Sequence, residues 1–122
     1  MARILLAEDD GSMRQFLTIA LEKAGHETVQ AKDGVHALQI LEQDQDFALL
    51  LTDIVMPGID GIELSQMATS ACPNLKVMFI TGFAAVAVGH TDPVQDNTKI
   101  LSKPFHLNDL VGQVDALLKN AA

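Results

Sequence analysis

One cysteine, Cys72, is all the chain contains. That excludes an internal disulfide framework and fits a reducing cytoplasm. Cys72 stands before Pro73 at an expected helix end with no thiol-activating neighbour, which gives it a structural role. No apolar run approaches the roughly 18 residues that a membrane span needs. A hydrophobic content of 48 % therefore belongs to a sheet buried on both faces, with an exposed partner patch as its other outlet. Basic residues are scarce: 8 Lys and Arg against 16 Asp and Glu leave a net charge of −8. Direct nucleic-acid binding needs clustered Lys and Arg to release counterions, and the eight are scattered. Neither nucleic acid nor membrane is an expected partner. The opening Met1-Ala-Arg-Ile-Leu-Leu6 lacks the three regions of a secretory leader and runs directly into a strand pattern.

What is present suits one domain: 122 residues are enough for a single core without staples. Arg3 to Ala7 is a short apolar run, the first expected strand, and Gly11-Ser12 can start a helix. That helix carries Met13, Phe16, Leu17, Ala20, Leu21 and Ala24 at helical spacing and stops at Gly25. His26 to Ala31 alternates as a second strand, and Asp33 is a plausible N-cap for a helix with the stripe Val35, Leu38, Ile40 and Leu41. Phe47 to Thr52 reads as a third strand and Ile59 to Ala71 as a helix closed by Cys72-Pro73. Leu75 to Ile80 and Lys99 to Ser102 complete five strands; Phe83 to Gly89 is a marginal helix and Asn108 to Leu118 the last one. Strands alternating with helices predict an α/β domain, a doubly wound parallel sheet covered on both faces. Only four residues follow the last helix, so a single domain over residues 1–122, with no output domain, is expected.

The stretch that organises this pattern is Leu49-Leu-Leu-Thr-Asp53-Ile-Val-Met-Pro57-Gly58. An apolar run ends on a lone carboxylate, at the strand end where open α/β sheets carry their ligand sites. An isolated aspartate there is ordinarily a helix cap or a turn residue. The other strand ends change the reading. Strand one delivers Glu8 and Asp9, strand four Thr81 and strand five Lys103; in a parallel sheet these converge with Asp53 on one edge. Three carboxylates there repel one another, and a hard divalent cation such as Mg²⁺ relieves that with oxygen ligands. A hydroxyl and an ammonium opposite them are what an incoming phosphoryl group requires, with Asp53 as nucleophile.

In order and spacing, Glu8-Asp9, Asp53 with Met56-Pro-Gly-Ile-Asp-Gly61, Thr81-Gly82 and Lys103-Pro104-Phe105 match the motifs of one family. The chain resembles, over its whole length, the receiver domain of bacterial two-component response regulators, with its flavodoxin-like (βα)5 fold. The resemblance implies that Asp53 accepts a phosphoryl group from a histidine kinase or histidine phosphotransferase. It implies Mg²⁺ held by Asp9, Asp53 and the backbone carbonyl of Val55, with Glu8 acting largely through water. Thr81 would bind the phosphate, Lys103 would pair with it, and the Lys103–Pro104 peptide resembles the family's cis bond. Met1 to Asp10, Leu50 to Pro57, Met78 to Ala85 and Leu101 to Phe105, with the terminal Ala-Ala, resemble stand-alone receivers of alphaproteobacteria. That implies a cytoplasmic regulator, polar by resemblance alone, which when unphosphorylated helps deliver substrates to the ClpXP protease through ClpX; a phosphoryl shuttle or kinase-binding regulator is the alternative.

Departures from the family pattern carry information too. Many receivers have Tyr or Phe where this chain has Ile100, so readout would run through the segment Phe83–Gly89. Val55 and Phe83, which flank the phosphoryl group in the family, are apolar and should hinder an attacking water, lengthening the phosphoryl lifetime. Phe83, Val86 and Val88 beside Ile100 and Phe105 form a candidate partner face. An aspartyl-nucleophile phosphatase would want a second Asp two residues after the first, where Val55 stands; only self-dephosphorylation is expected. His26, His36, His90 and His106 show no ligand spacing, and Met13, Met56, Met67 and Met78 are expected to fill core gaps.

Overall fold

The computed structural model describes residues 2–81, 98–102 and 106–119. Along the chain run β1 (Arg3–Ala7), α1 (Gly11–Lys23), β2 (Glu27–Ala31), α2 (Gly34–Gln43) and β3 (Leu49–Asp53). After them come α3 (Gly61–Ala71), β4 (Lys76–Thr81), β5 (Thr98–Ser102) and α4 (Leu107–Lys119). The five strands form one parallel sheet in the order β2-β1-β3-β4-β5. The helix expected at Phe83–Gly89 lies outside the described residues.

Successive residues of a strand face opposite sides of a sheet, and an all-apolar strand therefore feeds two cores. Ile4 and Leu6 of β1 join Leu49 and Leu51 of β3 beneath α1 and α4, which add Leu17, Leu21, Leu110, Val114 and Leu117. Leu5 and Ala7 point the other way with Leu50, meeting Ala37 and Leu41 of α2 and Leu64 and Ala68 of α3. This double burial explains why β1 and β3 read as unbroken apolar runs instead of alternating patterns.

Three helices begin on an aspartate placed where orphan N–H groups need an acceptor. Asp10 accepts from the N–H of Ser12 and Met13, Asp33 from His36, and Asp60 from Glu63. α1 closes at Gly25, whose φ of 97° is a left-handed value that suits glycine. His26, expected to open β2, sits just before it and is only 8 % exposed. Its Nδ1 accepts from the Ala2 N–H at 3.2 Å and its Nε2 lies 2.9 Å from Asp115 Oδ1, joining β1 to α4.

Several side chains expected in the core are outside it. Phe16, Val35 and Met67 are about half exposed. On α2 the buried residues are Gly34, Ala37 and Leu41: of the expected stripe Leu41 is buried, Leu38 and Ile40 pack partly buried against the core, and Val35 faces out. Small residues face inward there because the helix comes close to the loop after β3: a Cβ on Gly34 would fall 2.7 Å from the Ile59 carbonyl oxygen. Phe47 precedes β3 instead of belonging to it; the Arg3 guanidinium lies 4.6 Å from its ring centroid.

Candidate functional site

The chain steps from β1 outward to β2 and then back across to β3, so β1 and β3 are neighbours with their carboxyl ends on one edge. That is the switch point where crevices open in doubly wound sheets. Register sets the rest. Ala7 pairs with Thr52, so the next residues, Glu8 just past β1 and Asp53 at the end of β3, stand side by side at the sheet edge. Carboxylate oxygens of Glu8, Asp9 and Asp53 all lie within 4.8 Å of one another, the one such group of three among the described residues. Glu8 is 1 % exposed, Asp53 half-buried and Asp9 exposed. The site thus grades from a buried carboxyl to an open one.

Each wall of the site has a local cause. On the β3 side, Thr52 is fully buried and its hydroxyl donates to the Asp53 carbonyl at 2.9 Å. The Ile54 N–H donates to both the Ile80 carbonyl at 3.1 Å and Asp53 Oδ1 at 3.2 Å. The loop then turns through Gly58, at φ 78°, with Met56 buried beneath it and Val55 60 % exposed. It is pinned where the Gly61 N–H donates to the Ile54 carbonyl at 2.8 Å. On the β1 side, the Glu8 N–H donates to the Ala31 carbonyl at 3.2 Å, and Glu8 Oε2 accepts from the Asp10 N–H at 3.2 Å.

Of the expected site residues, Glu8, Asp9 and Asp53 are brought together. Thr81 ends β4 one residue beyond Ile80, the partner of Asp53, so its backbone lies at the same edge. Ile100 is a half-buried residue of β5 paired with Phe79. Lys103, Pro104, Phe105, Phe83, Val86 and Val88 lie outside the described residues. Arg14, which is not among the expected site residues, joins this edge: its Nη1 donates to the Glu8 carbonyl at 2.7 Å. A lone arginine in an amphipathic helix looks like any solvated charge; its position four residues after the Asp10 cap was the available signal.

Chemically, three carboxylates in this span are a hard, oxygen-only donor set. Oxygen ligands of an octahedral Mg²⁺ stand about 3 to 4 Å apart, inside the 4.8 Å limit that bounds all three pairs here, so the residues present fit such an ion.

The response regulator receiver domain family matches residues 4–115. The chain is 55 % identical to the response regulator receiver protein CpdR of Brucella abortus (strain 2308), covering 97 % of this chain and 98 % of that protein. Among solved structures, the receiver domain of the hybrid histidine kinase CckA is 32 % identical, with a TM-score of 0.81 over 95 % of this chain and 98 % of that one. A response regulator receiver protein from Sinorhizobium medicae WSM419 is 27 % identical, with a TM-score of 0.87 over 98 % and 96 %. The expected fold, a five-stranded parallel sheet clad by helices, is the one these proteins share. The chain belongs to the response regulator receiver domain family.

Proposed function

We propose that the chain is a phosphorylation-controlled binding module whose acceptor is Asp53. The observation that carries this reading is the meeting of the Glu8, Asp9 and Asp53 carboxylates at the end of the central strand. A carboxylate oxygen of Asp53 attacks phosphorus, the P–N bond of a donor phosphohistidine breaks, and the imidazole leaves with a proton. Mg²⁺, held by Asp9, Asp53 and the Val55 carbonyl with Glu8 through water, would supply positive charge against the phosphoryl oxygens. Thr81 and Lys103 bind the transferred group. The donor is a histidine kinase or histidine phosphotransferase, as receiver-family membership implies.

The output is protein–protein contact from a single receiver domain. Likeness to CpdR across 98 % of that protein supports a stand-alone regulator. On that resemblance the unphosphorylated form engages ClpX and promotes ClpXP proteolysis of its substrates, and phosphorylation ends the delivery. No helix among the described residues is long and apolar enough to cross a membrane.

Acetyl phosphate with Mg²⁺ tests the first half: one phosphoryl group per wild-type chain, none on Asp53→Ala. Continuous phosphate release from varied substrates would point to a phosphatase instead. A pull-down tests the second half. ClpX should be retained by Asp53→Ala, and its loss from a folded Asp53→Ala would sink the adaptor reading.

A further inference from the structure

The exposed Asp9 takes its direction from its backbone, and both peptide planes that flank it are held by side chains. The plane after Asp9 is fixed where the Asp10 N–H donates to Glu8 Oε2 at 3.2 Å. The plane before it is fixed where Arg14 Nη1 donates to the Glu8 carbonyl at 2.7 Å. Arg14 is itself placed by the cap: Asp10 Oδ1 accepts from Ser12 and Met13 at 3.0 and 3.2 Å. The Arg14 N–H then donates to the Asp10 carbonyl at 2.9 Å. The helix start and the acidic loop are therefore one hydrogen-bonded unit, closed by a half-buried guanidinium.

We propose that Arg14 is a positioning residue for divalent-cation binding. By holding the Glu8–Asp9 peptide it sets the angle at which Asp9 presents its carboxylate toward Glu8 and Asp53. The inference rests on reading the cluster as a cation site. Charge alone argues the other way, because a guanidinium beside a cation site repels the ion. Geometry and charge thus predict opposite signs for its removal.

Titration calorimetry of MgCl₂ into the full chain separates them. Partners that orient a metal ligand typically change affinity by about tenfold or more when removed. Arg14→Gln should therefore weaken Mg²⁺ binding about tenfold, and Arg14→Lys, which keeps a charged donor, should recover much of it. Arg3→Gln breaks an ion-pair network at the opposite end of the sheet. It should lower the thermal midpoint and leave Mg²⁺ affinity unchanged, which sets general destabilisation apart from positioning. Unchanged or tighter Mg²⁺ binding in Arg14→Gln, with the wild type binding normally, overturns the role of Arg14 alone. A wild type that does not bind Mg²⁺, or an Asp9→Asn that binds as well as wild type, overturns the cation site and the inference with it.

Discussion

Gly61 stands against the carbonyl of Asp53: a Cβ built on it would overlap that oxygen and lie 2.9 Å from the Cα of Ile54. The first turn of α3 can approach Asp53 this closely only without a side chain. Gly61→Ala must push the helix or the loop aside, and overpacking of this kind costs about 1–3 kcal/mol. Urea unfolding should show that loss, together with slower labelling of Asp53 by acetyl phosphate. Gly112, where nothing lies within 4 Å of a built Cβ, is the contrast. Gly112→Ala sits in α4 and should raise stability by about 0.5–1 kcal/mol; a loss there, or none at Gly61, would count against this account.

At the opposite end of the sheet, Asp44 should make stability depend on pH. The Asp46 N–H first, and then the Arg3 guanidinium at 2.7 Å, hold its carboxyl below the ordinary carboxylate value of 3.8. A depressed folded value means that the contribution is complete above the unfolded value and is lost as pH falls through the folded one. Asp44→Asn should therefore have a lower urea midpoint than wild type near neutrality. The gap should narrow as pH drops below about 4. A gap that stays constant down to the acid limit refutes the assignment.

Burial pushes the Cys72 thiol up from its ordinary range, and its Sγ faces the Gln45 carbonyl at 4.0 Å. Less thiolate means slower alkylation. Iodoacetamide at pH 8 should label the folded chain several-fold more slowly than free cysteine, with urea abolishing the difference. Equal rates in the folded state would contradict the assignment.

Val55 is 60 % exposed in the loop that follows Asp53; on the proposed role of Asp53, this apolar side chain hinders an attacking water. Val55→Asn combined with Phe83→Glu replaces two apolar side chains, which the family resemblance expects to flank the phosphoryl group, by groups that hold water. Phosphoryl loss measured after removal of the donor should quicken by about tenfold or more, in the range of general-base effects. An unchanged lifetime would show that access is not what limits hydrolysis.

The sheet was legible in the sequence because its inner strands are buried on both faces: Ile4 to Ala7, Leu49 to Leu51 and Val77 to Ile80 are apolar at every position. The meeting of Glu8, Asp9 and Asp53 followed from parallel topology, since a strand's end point needs no knowledge of side-chain packing. Helix faces were harder. Large apolar residues such as Phe16 and Val35 marked the expected stripes, whereas α2 buries Gly34 and Ala37 because it approaches a loop. Arg14 was hidden for a related reason: its partner is a backbone carbonyl, and no residue type advertises that.

The middle position of β3 has one more consequence. A strand paired on both sides, with Leu49 to Thr52 fully buried, should be among the slowest segments to exchange its amide hydrogens, while the edge strand β2, half open to solvent, exchanges sooner. Asp53 thus ends a strand held on both sides among the described residues. On the proposed reading, a phosphoryl group there would leave this anchor in place, and a change of shape has to be taken up beyond the strand ends.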